Sequence, residues 1–314
     1  MMSTAIVSAA VCTDQDTGSF FELASRAGRT CLEQAGVSPN RIGMVINAGV
    51  FRDSNISEPA VAALIQKRLD IGLEYVSGNV PAFSFDLMNG ATGVLHAFMA
   101  AQCFLAPGEV EYAMVVAGDT HPSMIRDRDD FPYAASGAAV LLRSDTEAGG
   151  FGRPHTSEVD GSAPPTAWVD LESAGTDGRN ALTVRAGTGD PLELADRVVR
   201  ACLADEGIDA ADFATGKAVL LAPAPVAGFR ERLAYRLGIP VAALAGVDPA
   251  LGDPFSAAPV HVYTQAAASG LLEGVRTVLF LGVDDSAAAC LPYRPLPLSL
   301  SGSVAELQSN QVAG

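Results

Sequence analysis

Residues 84–94, SFDLMNGATGV, join a strand-like run, a glycine-bounded turn and the start of an apolar helix. A helix start gathers unpaired N–H groups and positive dipole at one point, which suits a thiolate or an oxyanion. The turn holds Ala91, whose methyl group has no electron pair with which to attack. Thr92 is the only hydroxyl there. It can attack only with an adjacent base, and otherwise serves as a cap or turn hydroxyl. His96 follows four residues later on the same helix face, as base for Thr92 or as a core histidine. His121, in GDTHPS, follows a strand end, where α/β sites gather. His155 and His261 carry little signal. Asp253, in GDPFSAAPVH, is a base for Thr92 or water, or the cap of the helix that follows. Asp284–Asp285 end a strand, as a cation ligand or as a solvated turn.

Arg230, Arg232 and Arg236 lie on a helix read over 226–237, whose apolar face is Val226, Phe229, Leu233 and Leu237. They form a local basic patch in a chain of net charge −16. That balance argues against nucleic-acid or anionic-membrane partners, since phosphate attraction needs surplus Lys and Arg. Hydrophobic residues make up 49% and charged residues 18%, so the 314 residues can bury a large core as one or two domains. The five cysteines, Cys12, Cys31, Cys103, Cys202 and Cys290, are scattered and read as reduced small hydrophobes. No signal segment or apolar run of about 18 residues is present, so a cytoplasmic protein is expected. No GxGxxG, Walker, HExxH or zinc pattern occurs, and no cofactor is implied.

The elements that must position these residues follow from periodicity. Residues 18–36, 93–105, 191–206 and about 257–270 read as helices, and 43–48 as a buried strand. YAMVVAGD (112–119) and RTVLFLGVDD (276–285) are buried-strand patterns with acidic ends. YAASGAAVLL (133–142) and SAAACLPY (286–293) follow them. KRLDIG (67–72) and YRLGIP (235–240) each end an amphipathic helix, so the chain carries a weak internal repeat. Two copies of a strand–helix unit place two helices back to back between sheets, a layered α/β/α/β/α arrangement. The halves are read as 1–146 and 147–314. Short strand candidates lie at 167–171 and 181–185, and a polar tail runs from about 298.

SEPAVAALIQKRLDIG (57–72), PAFSFDLMNGATGVLHAFMAAQCFL (81–105), AMVVAGDTHPS (113–123) and YAASGAAVLLR (133–143) resemble the ketoacyl-ACP synthase III family of the thiolase superfamily. VLLAPAPVAGFRERLAYRLGIP (219–240) and GDPFSAAPVHVYTQAAASG (252–270) are similar to that family's histidine-bearing and asparagine-bearing loops. The resemblance implies the thiolase fold, a dimer, and a Cys/His/Asn triad. It puts Ala91 at the cysteine position, Pro223 at the histidine position and Asp253 at the asparagine position. The family's glycine-rich C-terminal loop is shortened to GVDDSAA (282–288), and the inter-half segment 144–189 is short for walling a deep acyl tunnel. The resemblance also makes the arginine patch a dock for an acidic acyl carrier protein.

Three triad positions and a loop depart together. The sequence therefore favours a non-catalytic subunit that partners an active ketosynthase in fatty-acid or polyketide-type biosynthesis. Two other classes stay open. One is an acyltransferase or thioesterase-like enzyme acting on acyl-CoA or acyl-ACP through Thr92, His96, His121 or Asp253. The other is an acyl-thioester binding protein.

Overall fold

The computed structural model describes residues 3–56, 58–73, 81–159, 161, 164–170, 172 and 179–295. The polar tail expected from about 298 lies outside them.

The outer helices form where apolar spacing meets capping residues. In α1 (Phe20–Ala35), Phe20, Leu23, Ala24, Ala27 and Cys31 are fully buried along one stripe. Ser19 caps its start by accepting from the Glu22 N–H, and Gly36 closes its end at φ 62°. α4 (Pro191–Glu206) matches the predicted limits. Asp190 caps it, Pro191 is its first residue and Gly207 ends it in the left-handed region.

Two mixed sheets carry the scaffold. The first contains β1 (Ser3–Cys12), β2 (Ile42–Asn47), β3 (Phe83–Asp86), β4 (Tyr112–Asp119) and β5 (Ser136–Asp145). Its spatial order is β1-β5-β4-β2-β3, with β2, β3 and β4 parallel, and β5 antiparallel to both of its neighbours, β4 and β1. α2 (Val61–Arg68) packs on its outer face with α1. The second sheet is built from β6 (Gly150–Phe151), β7 (His155–Glu158), β10 (Ala218–Leu221), β11 (Leu244–Ala245), β12 (Thr277–Val283) and β13 (Ala287–Arg294). There β10, β11 and β12 are parallel and β13 runs antiparallel to β12. α4 and α6 (Phe229–Leu237) cover its outer face, and α5 (Ala210–Ala214) leads into β10. A small ribbon, β8 (Ala167–Trp168) with β9 (Thr183–Val184), stands apart.

Between the sheets lie α3 (Gly93–Leu105) and α7 (Ala258–Ala268). Val94, Phe98 and Ala101 of α3 and Val260 and Ala266 of α7 share one core with Met44, Val115, Val140, Val278 and Phe280. The layers are thus α/β/α/β/α, as the repeat implies. A helix buried between two sheets must be apolar all round, which explains the Ala-rich sequence of both.

Several boundaries differ from expectation. The strand read at 133–142 starts at Ser136 because the Ala134 N–H is donated to the Asp253 carbonyl at 2.7 Å. The helix read from 226 starts at Phe229, behind Gly228 at φ 66°. The strand read to 285 stops at Val283, where the chain turns toward β13. β1, β10 and β11 had no strand assigned from sequence. β1 is rich in Ser and Ala, and β10 and β11 are only four and two residues long, so each gives little periodic signal.

Candidate functional site

The turn between β3 and α3 forms as its residues require. Gly90 takes φ 53°, a left-handed conformation that favours glycine. The Thr92 N–H and hydroxyl both donate to the Asn89 carbonyl, at 3.1 and 2.8 Å. Gly282 of β12 presses against the same turn: a Cβ there would meet the Ala91 carbonyl oxygen at 2.5 Å. The second sheet therefore abuts the turn backbone, and only glycine permits the approach.

Ala91 is 3% exposed and packs in one cluster with Phe51, Phe131 and Phe255. Its N–H donates to Asp284 Oδ2 at 3.3 Å. Asp284 Oδ1 accepts from the Ser286 N–H, the Ser286 hydroxyl and the Ala287 N–H at 2.6–2.9 Å. Sequence reasoning favoured a solvated turn for the Asp284–Asp285 pair. Instead, Asp284 faces the helix start and Asp285 accepts from the Gly187 N–H. A carboxylate thus holds the place where the helix start offers its positive potential. The only sequence signal for it was the position of the pair at a strand end.

A cleft of about 700 Å³ opens beside this turn, with Tyr133, Arg185, Asp253, Phe255, Asp284 and Asp285 among its walls. The Tyr133 and Phe255 rings stack with centroids 4.1 Å apart. Asp253 Oδ1 accepts from the Phe255 N–H at 2.9 Å, so the aspartate both initiates the turn before α7 and lines the cleft. Burial raises its pKa, the Phe255 N–H lowers it, and the Asp284 charge raises it.

The remaining candidates are dispersed. Pro223 is buried after β10, two residues before Pro225, which reaches the cleft. Thr92 is 1% exposed and its hydroxyl is engaged by Asn89, so it does not face the cleft as a nucleophile. His96 Nδ1 lies 3.0 Å from the Thr92 carbonyl rather than its hydroxyl, and 3.2 Å from Asn89 Nδ2. No Thr–His nucleophile pair is assembled. His121 is buried, accepts from the Ser123 N–H at Nδ1, and stands edge-on to Phe131. Burial lowers its pKa, and Arg128 adds to the effect. Of the arginines, Arg232 turns back onto the Gly228 and Ala227 carbonyls. Arg230 packs over Gly246 beside a second cavity of about 370 Å³. Arg236 is exposed.

Sequence reasoning passed over Asp119 at the end of β4. It is fully buried and accepts from the Val50 and Phe51 N–H groups through Oδ1, and from the Ser256 N–H and hydroxyl through Oδ2. It ties the loop after β2 to the start of α7. Burial pushes its pKa up to about 6. Asp86, at the end of β3, accepts from the Val61 and Ala62 N–H groups and so caps α2. Arg52 Nη1 lies 3.5 Å from it. Among the described residues no group of His, Cys, Asp or Glu could hold a metal ion. Among them, too, no helix is long and apolar enough to cross a membrane.

No family model matches the chain. Among curated proteins it is similar to the beta-ketoacyl-[acyl-carrier-protein] synthase III of Laribacter hongkongensis, 30% identical over 132 residues, 41% of this chain and 38% of that protein. The namesake from Rhizorhabdus wittichii is 28% identical over 129 residues, 40% and 37% of the two chains. The matches thus span under two fifths of either relative's length. Among solved structures, the 3-oxoacyl-(acyl carrier protein) synthase III of Pseudomonas aeruginosa superposes with a TM-score of 0.72 at 18% identity, covering 93% of this chain and 98% of that one. The priming beta-ketosynthase of the R1128 polyketide pathway gives 0.72 at 19%, covering 94% and 97%. Xanthomonas campestris OleA, solved with lauric acid and lauroyl-CoA, gives 0.70 at 15%, covering 93% and 99%. At these identities the structural likeness establishes the fold.

Proposed function

We propose that this chain, a ketoacyl-ACP synthase III-like protein of the thiolase fold, is the non-catalytic partner of an active ketosynthase in cytoplasmic fatty-acid or polyketide-type biosynthesis. Ala91 carries the reading. The turn, the helix start and the close approach of Gly282 are all present and Ala91 is buried there; on this reading its methyl group takes the position of a nucleophile. Pro223 and Asp253 at the other two triad positions belong to the same reading, as do the halves 1–146 and 147–314.

An exposed face supports a partner subunit. β3 is the edge strand of the first sheet, and Phe83, Met88 and Phe104 beside it are 39%, 47% and 42% exposed. Phe83, Phe85 and Phe104 contact one another as an aromatic patch. An open strand edge with an apolar flank offers unpaired backbone groups and apolar surface on which another chain can pair. Arg230, Arg232 and Arg236 are assigned to carrier-protein docking in the same assembly. Native mass spectrometry of the complex from its own cell tests this. A mixed dimer with a Cys-bearing ketosynthase supports the proposal. A homodimer that leaves every co-encoded ketosynthase unchanged in activity sinks it.

One observation favours a second reading, an acyltransferase or thioesterase-like enzyme. Asp253 lines the cleft with a raised pKa, which brings a carboxylate nearer the range useful to a general base. In that case Asp253→Asn abolishes thioester turnover while leaving the fold intact.

A further inference from the structure

We propose that the cleft beside Asp253 binds a ligand with a positively charged head, an alkylammonium or a guanidinium. The inference concerns the cleft of this chain alone and holds whether or not a partner subunit exists.

The cleft of about 700 Å³ is large enough for a small organic molecule. Its lining includes the stacked pair Tyr133 and Phe255, with Phe51 at 5.4 and 5.8 Å from the two rings. An aromatic face attracts a cation through the negative potential above the ring, and more strongly where water is excluded. Phe255 is fixed for this role at both ends. Its own N–H is held by Asp253, and the next residue, Ser256, is held twice by the buried Asp119.

The charges on the walls agree with these rings. Among the described residues, Asp129, Asp130, Asp253, Asp284 and Asp285 line the cleft against one cation, Arg185. The Arg185 guanidinium stacks over Trp168, 4.8 Å from the ring centre. Asp130 is neutralised by Arg128, while Asp284 and Asp285 are engaged by backbone N–H groups. Asp253 meets a donor only through Oδ1 and Asp285 only through Oδ2 among the described residues, and of the two it is Asp253 whose backbone turn carries the Phe255 ring. A carboxylate with one oxygen still to be satisfied, set beside a stacked ring pair, is a counter-ion site for a cation. A concave wall of one sign also focuses the field into the cleft, in a chain already at −16. The same field repels phosphate groups, so coenzyme A is disfavoured here.

The test is isothermal titration of the purified full chain with choline and with agmatine, against coenzyme A as the anionic probe, at matched ionic strength. At least one cation binds saturably and coenzyme A does not. Asp253→Asn raises that Kd about tenfold, and Tyr133→Leu, which keeps apolar bulk but removes the ring, raises it several-fold. Circular dichroism checks that each variant folds, and either folded variant suffices. The proposal is overturned if neither cation saturates, if coenzyme A binds and the cations do not, or if both folded variants bind unchanged. Loss of cation binding leaves a mixed dimer unaffected, so its failure is distinguishable from failure of the partner-subunit reading.

Discussion

A methyl group at position 91 settles what the helix start can and cannot do. The Ala91 N–H is already directed at Asp284, and the side chain has no electron pair to offer. On the proposed reading, a thiol placed at residue 91 is not expected to bring chemistry by itself, because Pro223 has no titratable group. Ala91→Cys incubated with acetyl-CoA therefore gives no repeated release of free coenzyme A, measured with a thiol reagent. Multiple turnovers would show that the assigned histidine and asparagine positions are wrong. Asp119 is a residue whose titration bears on stability. Its folded pKa of about 6 lies above the ordinary 3.8, so the folded state binds more protons between those values. This contribution is complete below about pH 3.8 and is lost as pH rises to about 6. Over that window it amounts to something on the order of 3 kcal/mol. Asp119→Asn removes this component of the pH slope, which urea unfolding at pH 4, 5 and 6 reads directly.

At the scale of elements, joints between pieces matter more than the pieces. α2 has no cap of its own sequence at Ala60. Asp86, from the end of β3, supplies it and also faces the half-buried Arg52. Asp86→Ala uncaps the helix and leaves Arg52 without its counter-ion, and is expected to cost about 2–4 kcal/mol in denaturant unfolding. A loss under about 0.5 kcal/mol would mean that water replaces the carboxylate freely. Gly282 is the other joint. A methyl group there meets the Ala91 carbonyl oxygen at 2.5 Å, and both partners are backbone that cannot swing aside. Gly282→Ala is expected to lower stability by at least about 2 kcal/mol, and to change amide exchange in residues 90–93 first.

Across the whole molecule, two mixed sheets enclose α3 and α7, and each sheet carries its own pair of outer helices. The edge of the first sheet at β3 leaves an aromatic patch in solvent. Phe83→Asp combined with Phe104→Asp places charge on that patch without touching the core. The double variant is expected to keep its far-ultraviolet circular dichroism and to lose the ketosynthase that co-purifies with the unaltered chain. An unchanged assembly would move the subunit interface elsewhere on the surface.

The sequence by itself determined the long elements and their layers. α1, α3, α4, β4 and the body of β12 were legible because apolar period, caps and glycines agree over many residues. It also determined that residue 91 is no nucleophile, since composition alone excludes it. Only the tertiary structure decided the site. Asp119, Asp284 and Tyr133 each become informative through a partner far away in sequence and on another element: Ser256, the Ala91 N–H and Phe255. His96 shares a helix face with Thr92 as the spacing predicts, yet it meets the carbonyl because the hydroxyl is already committed to Asn89. Periodicity fixes which way a side chain faces. Which of several polar atoms it meets depends on packing between segments that local pattern does not encode.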